Sequence, residues 1–153
     1  MLKSVLMGTA LTSVLALAGC NNMMPNSGHS DQNASSMSNL KMLTDVSWQQ
    51  IMPANTKMST GSDHPNIRFN SQDKRFSGSD GCNRIMGDYE ANGKMLKLGM
   101  MAGTKMACAP QDSAMSQNFM MGLSKTTHYQ FSGSDLVLKD QAGKTLMMLR
   151  KAN

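Results

Sequence analysis

Turn residues divide most of this chain into short strand-like runs, and this punctuation limits the fold more than any other feature. The clearest case is Asn92-Gly93, which separates the runs RIMGDYEA and KMLKLG. Both turn residues tolerate a positive φ, so Asn-Gly between two such runs predicts a β-hairpin. A second pair of runs, NIRF and RFSGS, flanks the turn sequence SQDK. The chain therefore predicts a sheet built from antiparallel hairpins.

The C-terminal region continues this pattern, and only one segment departs from it. The stretch HYQFSGSDLVLKDQAGKTLMMLR predicts three more strands, and a strand around Trp48 is expected to open the sheet. Within residues 112–125, apolar side chains recur every four residues, which predicts a helix with Asp112 or Ser113 as its N-cap. We expect an α+β fold: a curled antiparallel sheet or cracked β-barrel of about seven strands with one packed helix.

The first twenty residues have the pattern of an export signal. Lys3 precedes an apolar run that is too short to span a membrane, and the run ends in Leu17-Ala18-Gly19-Cys20, which resembles a bacterial lipobox. We predict that residues 1–19 are a lipoprotein signal peptide and that Cys20 is lipidated. The alternative is an ordinary signal peptide with a chance cysteine. Because Asn21 follows the cysteine, we expect an outer-membrane anchor with the domain in the periplasm.

The segment after the cysteine differs in composition from the rest. Residues 20–43 are rich in Asn, Ser, Gly and Gln without an apolar period, so they predict a flexible tether. Residues 44–153 are predicted to form the single domain. The formal charge of +5 is spread without a run of Lys or Arg, and aromatic residues make up 5% of the chain, so no nucleic-acid partner is expected.

The segment from Phe76 to Cys108 carries the most specific pattern in the chain. It contains Gly81-Cys82-Asn83-Arg84, then Gly87, then a hairpin, and it ends in Thr104-Lys105-Met106-Ala107-Cys108. In these motifs and their order the chain resembles the META-domain family of HslJ-like heat-shock lipoproteins, over about Trp48 to Leu149. The resemblance implies a cracked, cone-like antiparallel barrel with a packed helix, and an envelope or stress-related role without established catalysis. Many members carry a Glu where this chain has Ser116-Gln117-Asn118.

Two cysteines remain once Cys20 is assigned to the anchor, and an oxidising periplasm favours pairing them. Cys82 and Cys108 are therefore predicted to form a structural disulfide; buried free thiols or a redox or metal pair are the alternatives. Asn83 and Arg84 have two interpretations as well. Either they form a ligand clamp, because Arg pairs with carboxylate or phosphate, or Asp80-Gly81 and Asn83 supply turn geometry while Arg84 caps carbonyls or pairs with Asp88.

Methionine is the one residue type in clear excess, with 18 in the chain. The first interpretation is flexible apolar filling of a core with few aromatics. The alternatives are oxidant scavenging and soft-metal binding of Cu(I) or Ag(I), for which Met23, Met24, His29 and Met37 are the candidate ligands. A groove that accepts a hydrophobic ligand is expected between sheet and helix, lined by Met100, Met101, Met115 and Phe119.

No catalytic constellation is apparent, since the motifs of the common hydrolase, nucleotide-binding and metalloprotease sites are absent from the sequence. We therefore expect a non-enzymatic envelope or stress-response protein with no cofactor. Its expected partners are the membrane, through the lipid anchor, and a hydrophobic ligand or an envelope protein. The alternative function is periplasmic soft-metal binding or oxidant scavenging.

Overall fold

The computed structural model describes residues 28–53 and 64–152 of the chain. These residues contain two helices and eight strands. In chain order the elements are α1 Gly28–Leu43, β1 Ser47–Met52, β2 Asn66–Phe69, β3 Arg75–Ser79, β4 Arg84–Asn92, β5 Met95–Gly103, α2 Pro110–Lys125, β6 His128–Ser132, β7 Asp135–Lys139 and β8 Thr145–Lys151.

The eight strands form one antiparallel sheet in which neighbours in sequence are neighbours in space. The last strand, β8, pairs with β1, so the sheet closes into a barrel. The predicted α+β class and curled antiparallel sheet are confirmed, with eight strands where about seven were expected. The predicted hairpins correspond to β2–β3 and β4–β5, and the three C-terminal runs are β6, β7 and β8.

The ladder between β5 and β6 has fewer residue pairs than any other ladder of the barrel. It has one residue pair, Met95 with His128, flanked by two backbone hydrogen bonds. Leu96 donates its N–H to the Thr127 carbonyl at 3.0 Å, and Tyr129 donates its N–H to the Lys94 carbonyl at 2.8 Å. The rest of β5 is paired with β4 alone among the described strands. We call this joint the β5–β6 seam.

Alternation along the strands places apolar side chains inside the barrel and polar ones outside. In β4, Ile85 and Tyr89 are buried, whereas Arg84, Met86 and Asp88 are exposed. The other strands contribute in the same way. The strand residues of the interior include Trp48, Ile67, Phe69, Phe76, Leu96, Tyr129, Leu136, Leu138, Met147 and Leu149.

The β4–β5 hairpin has a loop one residue later than the sequence predicts, and its ladder is less regular. Asn92 pairs with Met95, so the two-residue loop is Gly93-Lys94, and Gly93 has a φ of 59°. The ladder register shifts between Gly87 and Tyr89, which gives β5 one extra residue. This bulge lies beside Met100, whose side chain is 94% exposed.

Helix α2 packs its predicted face against the barrel core. Met115, Phe119 and Leu123 are all buried, which confirms the helix and its face. The expected N-cap is wrong, because the helix begins at Pro110 with Ala109 as N-cap and no side-chain cap. Proline is well suited to that first position, since its missing N–H has no partner in a helix anyway.

Helix α1 occupies a segment where the sequence predicts coil. It ends at Leu43, which is fully buried and whose carbonyl accepts a hydrogen bond from Trp48 Nε1 at 2.9 Å. The sequence predicts a tether without secondary structure here. That prediction is wrong for this part of the segment, because its end packs on the core. Neither described helix combines the length and apolarity that a membrane crossing requires.

Candidate functional site

A disulfide joins Cys82 in the β3–β4 loop to Cys108, just ahead of helix α2. The two Cα atoms are 6.0 Å apart, and the residues are separated by 26 positions in the sequence. The predicted disulfide is thus present, and the alternatives of free thiols or a metal pair do not apply. The bond links two loops at one end of the barrel.

Asp80 organises the loop that precedes the disulfide. Its carboxylate is 3% exposed and accepts hydrogen bonds from the backbone N–H groups of Cys82, at 2.9 Å, and Asn83, at 2.6 Å. The other oxygen accepts a hydrogen bond from the Ser116 hydroxyl at 2.6 Å, which connects the loop to helix α2.

Asn83 and Thr104 connect the β3–β4 loop by hydrogen bonds to the segment that follows β5. The Asn83 side-chain oxygen accepts hydrogen bonds from the Met106 N–H at 2.8 Å and from the Thr104 hydroxyl at 3.3 Å. The Thr104 hydroxyl in turn accepts the backbone N–H of Arg84 at 3.1 Å. The structure thus brings these predicted motif residues together, and the side chain of Asn83 is used for turn geometry. We call residues 80–84 and 104–108 the disulfide corner.

The two motif glycines have different reasons to be glycine. Gly81 has a φ of 97°, a conformation that side chains disfavour. Gly87 lies under the Phe76 ring, and a Cβ there would come within 2.6 Å of the Met100 carbonyl oxygen and 2.7 Å of the ring. One glycine therefore shapes the loop, and the other permits close packing in the barrel.

An open cleft of about 700 Å³ lies beside the disulfide corner, on the outer face of β2, β3 and β4. Ser77 and Ser79 project from β3, and Arg84 and Met86 from β4, while Met106 comes from the loop before α2. The cleft is also lined by Asn66, Gly78, Gly81, Cys82, Asn83, Ile85, Ala107, Cys108, Ala109 and Asp112.

Arg84 is an exposed charged residue of this cleft. Asp88, which the sequence offers as its partner, instead lies 3.8 Å from Arg75 Nε. Among the described residues no hydrogen bond or ion pair engages the Arg84 guanidinium. The interpretation in which Arg84 pairs with Asp88 is therefore wrong.

The four residues of the predicted hydrophobic groove do not line one open surface. Met115 is 4% exposed and Phe119 is fully buried, because both belong to the core face of α2. Met101 packs partly against the core, while Met100 projects into solvent at the β5 bulge. Sequence periodicity identified the helix face correctly, but it gave no measure of how completely the barrel covers that face.

Most methionines of the described residues are exposed. Met115 and Met147 are buried, as the core-filling interpretation requires. That interpretation is wrong for eight others, whose side chains are exposed. These are Met37, Met42, Met52, Met86, Met95, Met100, Met106 and Met121.

The candidate metal ligands cannot be brought together from the described residues. Cys20, Met23 and Met24 lie outside these residues, as does the side chain of His29. Met37 is 74% exposed on α1. Within residues 28–53 and 64–152, His, Cys, Asp and Glu side chains form no group of three that would hold a metal ion.

Comparison with known proteins identifies the family. The family model of the META domain matches residues 41–153, most of the chain and all of the barrel. The chain belongs to the META-domain family. An NMR structure of a protein from Burkholderia xenovorans is 23% identical, with a TM-score of 0.57 over 76% of this chain and 88% of that one. A second NMR structure is 21% identical, with a TM-score of 0.55 over 72% and 92%.

At these identities the likeness to solved structures concerns the META fold alone. No curated protein matches the sequence. Function must therefore be argued from the residues of the cleft.

Proposed function

We propose that this META-domain protein is a lipid-anchored component of the bacterial outer membrane, with its domain in the periplasm, that binds a hydrophobic ligand or a protein partner without catalysing a reaction. The observation that carries the binding role is the open cleft at the disulfide corner. The anchor rests on the sequence, in which small residues precede Cys20 after an apolar run.

The cleft has the properties that a binding site needs. Its walls are held by a disulfide and by the buried Asp80 carboxylate, so little ordering entropy remains to be lost on binding. Its volume lies within the range of small-ligand sites, on the order of 300–1,000 Å³. It also combines a free cation at Arg84 with the flexible apolar side chains of Met86 and Met106.

The anchor is tested by replacing the lipidated residue. Cys20→Ser removes the thiol that would carry the lipid, so we expect the protein to move from the membrane fraction to the soluble fraction and to lose incorporation of labelled palmitate. Cys82→Ser is the matched control and should keep the label. Equal palmitate labelling of both variants would contradict the anchor.

The binding role is tested by photo-crosslinking in cells. A photoreactive amino acid at Ser77 lies in the cleft, whereas the same amino acid at exposed Thr145 lies on β8, outside the cleft. We expect an adduct of one defined mass at Ser77 and none at Thr145. Absence of an adduct at Ser77, or the same adduct at both positions, would contradict binding through this cleft.

A second function, oxidant scavenging, is favoured by the eight exposed methionines. Hydrogen peroxide transfers one oxygen atom to a thioether, which gives methionine sulfoxide and water. With limiting hydrogen peroxide, we expect peptide mass spectrometry to find sulfoxide at Met100 and Met106 well before Met115 and Met147. Equal oxidation of exposed and buried methionines would contradict oxidant scavenging by the exposed side chains. Soft-metal binding has no such support among the described residues.

A further inference from the structure

Among residues 28–53 and 64–152, no ion pair engages the cation that Arg84 presents on the outer face of β4. On β4 the exposed residues are Arg84, Met86, Asp88, Glu90 and Asn92, and the acidic ones are Asp88 and Glu90. Glu90 lies six positions from Arg84 and faces Lys97 in the β4–β5 ladder. Asp88 is engaged by Arg75 on the neighbouring strand. Opposite Arg84 the ladder places Ser79, a neutral residue. The cleft therefore presents a planar guanidinium, which is suited to a two-point hydrogen bond with a carboxylate.

Hydroxyl groups supply further donors beside this cation. Ser77 and Ser79 line the cleft from the outer face of β3. The Ser79 oxygen accepts the Gly81 N–H at 3.2 Å, which leaves its hydroxyl hydrogen able to donate. Asp112, the acidic lining residue, is 4% exposed, so the exposed charge of the cleft is that of Arg84.

An apolar surface adjoins the cation at a fixed spacing. Met86 lies two residues after Arg84 on the same face of β4, which separates their backbone positions by about 7 Å. Met86 is 47% exposed and Met106 is 63% exposed, and both line the cleft. A group that carries a carboxylate and an apolar side chain on one carbon atom fits this pairing, and the last residue of a polypeptide is such a group.

We propose that the cleft binds the C-terminal carboxylate of a peptide whose last residue is apolar, with Arg84 pairing with the carboxylate and the methionines contacting the side chain. This inference rests on the proposed binding role of the cleft and names its ligand. A single cation favours a singly charged carboxylate over a phosphate group. The open shape and the size of the cleft suit a few extended residues.

The test uses the full chain in detergent with ¹³C-labelled methionine methyl groups. The probe is acetyl-Ser-Ala-Leu with a free carboxylate, compared with the same peptide as its carboxamide. We expect the methyl signals of Met86 and Met106 to shift and saturate with the carboxylate peptide, and the carboxamide to bind at least about tenfold more weakly, because it lacks the charge-assisted pair.

Variants of two exposed arginines on the same sheet separate a specific contact from general charge. Arg84→Gln should weaken carboxylate binding about tenfold or more, and Arg84→Lys should restore part of it, since Lys keeps the charge without the planar fork. Arg68→Gln makes the same charge change on β2, outside the cleft, and should alter binding less than about twofold. Unchanged methyl signals of buried Met115 and Met147 would show that each variant folds.

Several results would overturn the inference. These are equal binding of carboxylate and carboxamide, an equal loss in Arg68→Gln, equal binding of hexanoate, displacement of the peptide by inorganic phosphate at equal concentration, or no shift at Met86 and Met106. The proposed function is judged separately. An adduct at Ser77 in cells, combined with no preference for a carboxylate, would leave the binding role standing and remove only the ligand class.

Discussion

The disulfide corner and the β5–β6 seam are two joints of one barrel that are held in opposite ways. At the corner, a covalent bond, a buried carboxylate and the side chain of Asn83 tie three parts of the chain together. At the seam, one ladder pair and two flanking hydrogen bonds join the neighbouring strands. Cross-links are concentrated beside the cleft, while closure of the barrel at the seam rests on few hydrogen bonds.

Breaking the disulfide should lower the free energy of unfolding more than any other change at these two joints. Replacing both Cys82 and Cys108 with Ser frees a long loop in the unfolded chain, and the chain-entropy model gives a loss of roughly 3.5 kcal/mol in the free energy of unfolding. Urea denaturation of the full chain measures this loss. Reductant should destabilise the unmodified protein by a similar amount and leave the double variant unchanged. A loss below about 1 kcal/mol would mean that the corner does not depend on its covalent bond.

Removing the buried carboxylate of the disulfide corner should have the second-largest effect on the free energy of unfolding. Asp80→Ala leaves the Ser116 hydroxyl and two backbone N–H groups without their acceptor, so we expect a loss of about 3 kcal/mol in the free energy of unfolding. Asp73→Ala is the matched control, because Asp73 also accepts a backbone N–H, from Arg75 at 3.0 Å, but is exposed. Denaturation midpoints that fall equally in both variants would contradict a special role for the buried group.

Replacing either of two buried tyrosines with Phe should change the free energy of unfolding by about 1 kcal/mol, with opposite signs at the two positions. Tyr89 donates its hydroxyl hydrogen to the Asn70 carbonyl at 2.9 Å, so Tyr89→Phe should destabilise the fold. At the seam, Tyr129 has a buried hydroxyl with no partner among the described residues. Tyr129→Phe should therefore raise the free energy of unfolding. Destabilisation by both substitutions in thermal or urea unfolding would show that the Tyr129 hydroxyl is satisfied in solution.

Alkaline pH should weaken the fold through the same two side chains. Burial, with smaller contributions from Asp45 and Asp73, raises the pKa of Tyr89 to about 12, and burial raises the pKa of Tyr129 as well. An unfolded tyrosine ionises near pH 10, so between about pH 10 and pH 12 the unfolded chain releases protons that the fold retains. Stability is therefore complete below about pH 10 and is lost as the pH rises. Absorbance at alkaline pH follows tyrosine ionisation, and Tyr89→Phe should make urea stability less dependent on pH in this interval.

The sequence predicts the features of the fold that depend on local chemistry. Turn residues and alternation located the eight strands that the structure describes, and the four-residue period located the buried face of α2. The disulfide followed from cysteine number and from the family resemblance. The end of α1 was missed because Leu43 is buried by the barrel, a contact that its own polar segment does not reveal.

The cleft could be predicted only in part, because its parts meet through the fold. Asp80 and Ser116 are 36 residues apart and no local pattern connects them. The bulge at Gly99-Met100 decides that Met100 points to solvent while Met101 packs on the core, and regular alternation along the run would place Met100 inside. Asp88 is nearer in sequence to Arg84 than to Arg75. Strand pairing nevertheless places Asp88 opposite Arg75, with which it forms an ion pair.

The disulfide also makes residues 82–108 a covalent ring that contains the whole β4–β5 hairpin. Exposed Lys94 lies in the turn of that hairpin. A trypsin-like protease that cuts after Lys94 would open the ring without dividing the molecule, since the two fragments stay joined through Cys82 and Cys108. The nicked protein would migrate as a single species until a reductant is added, and only then separate into two.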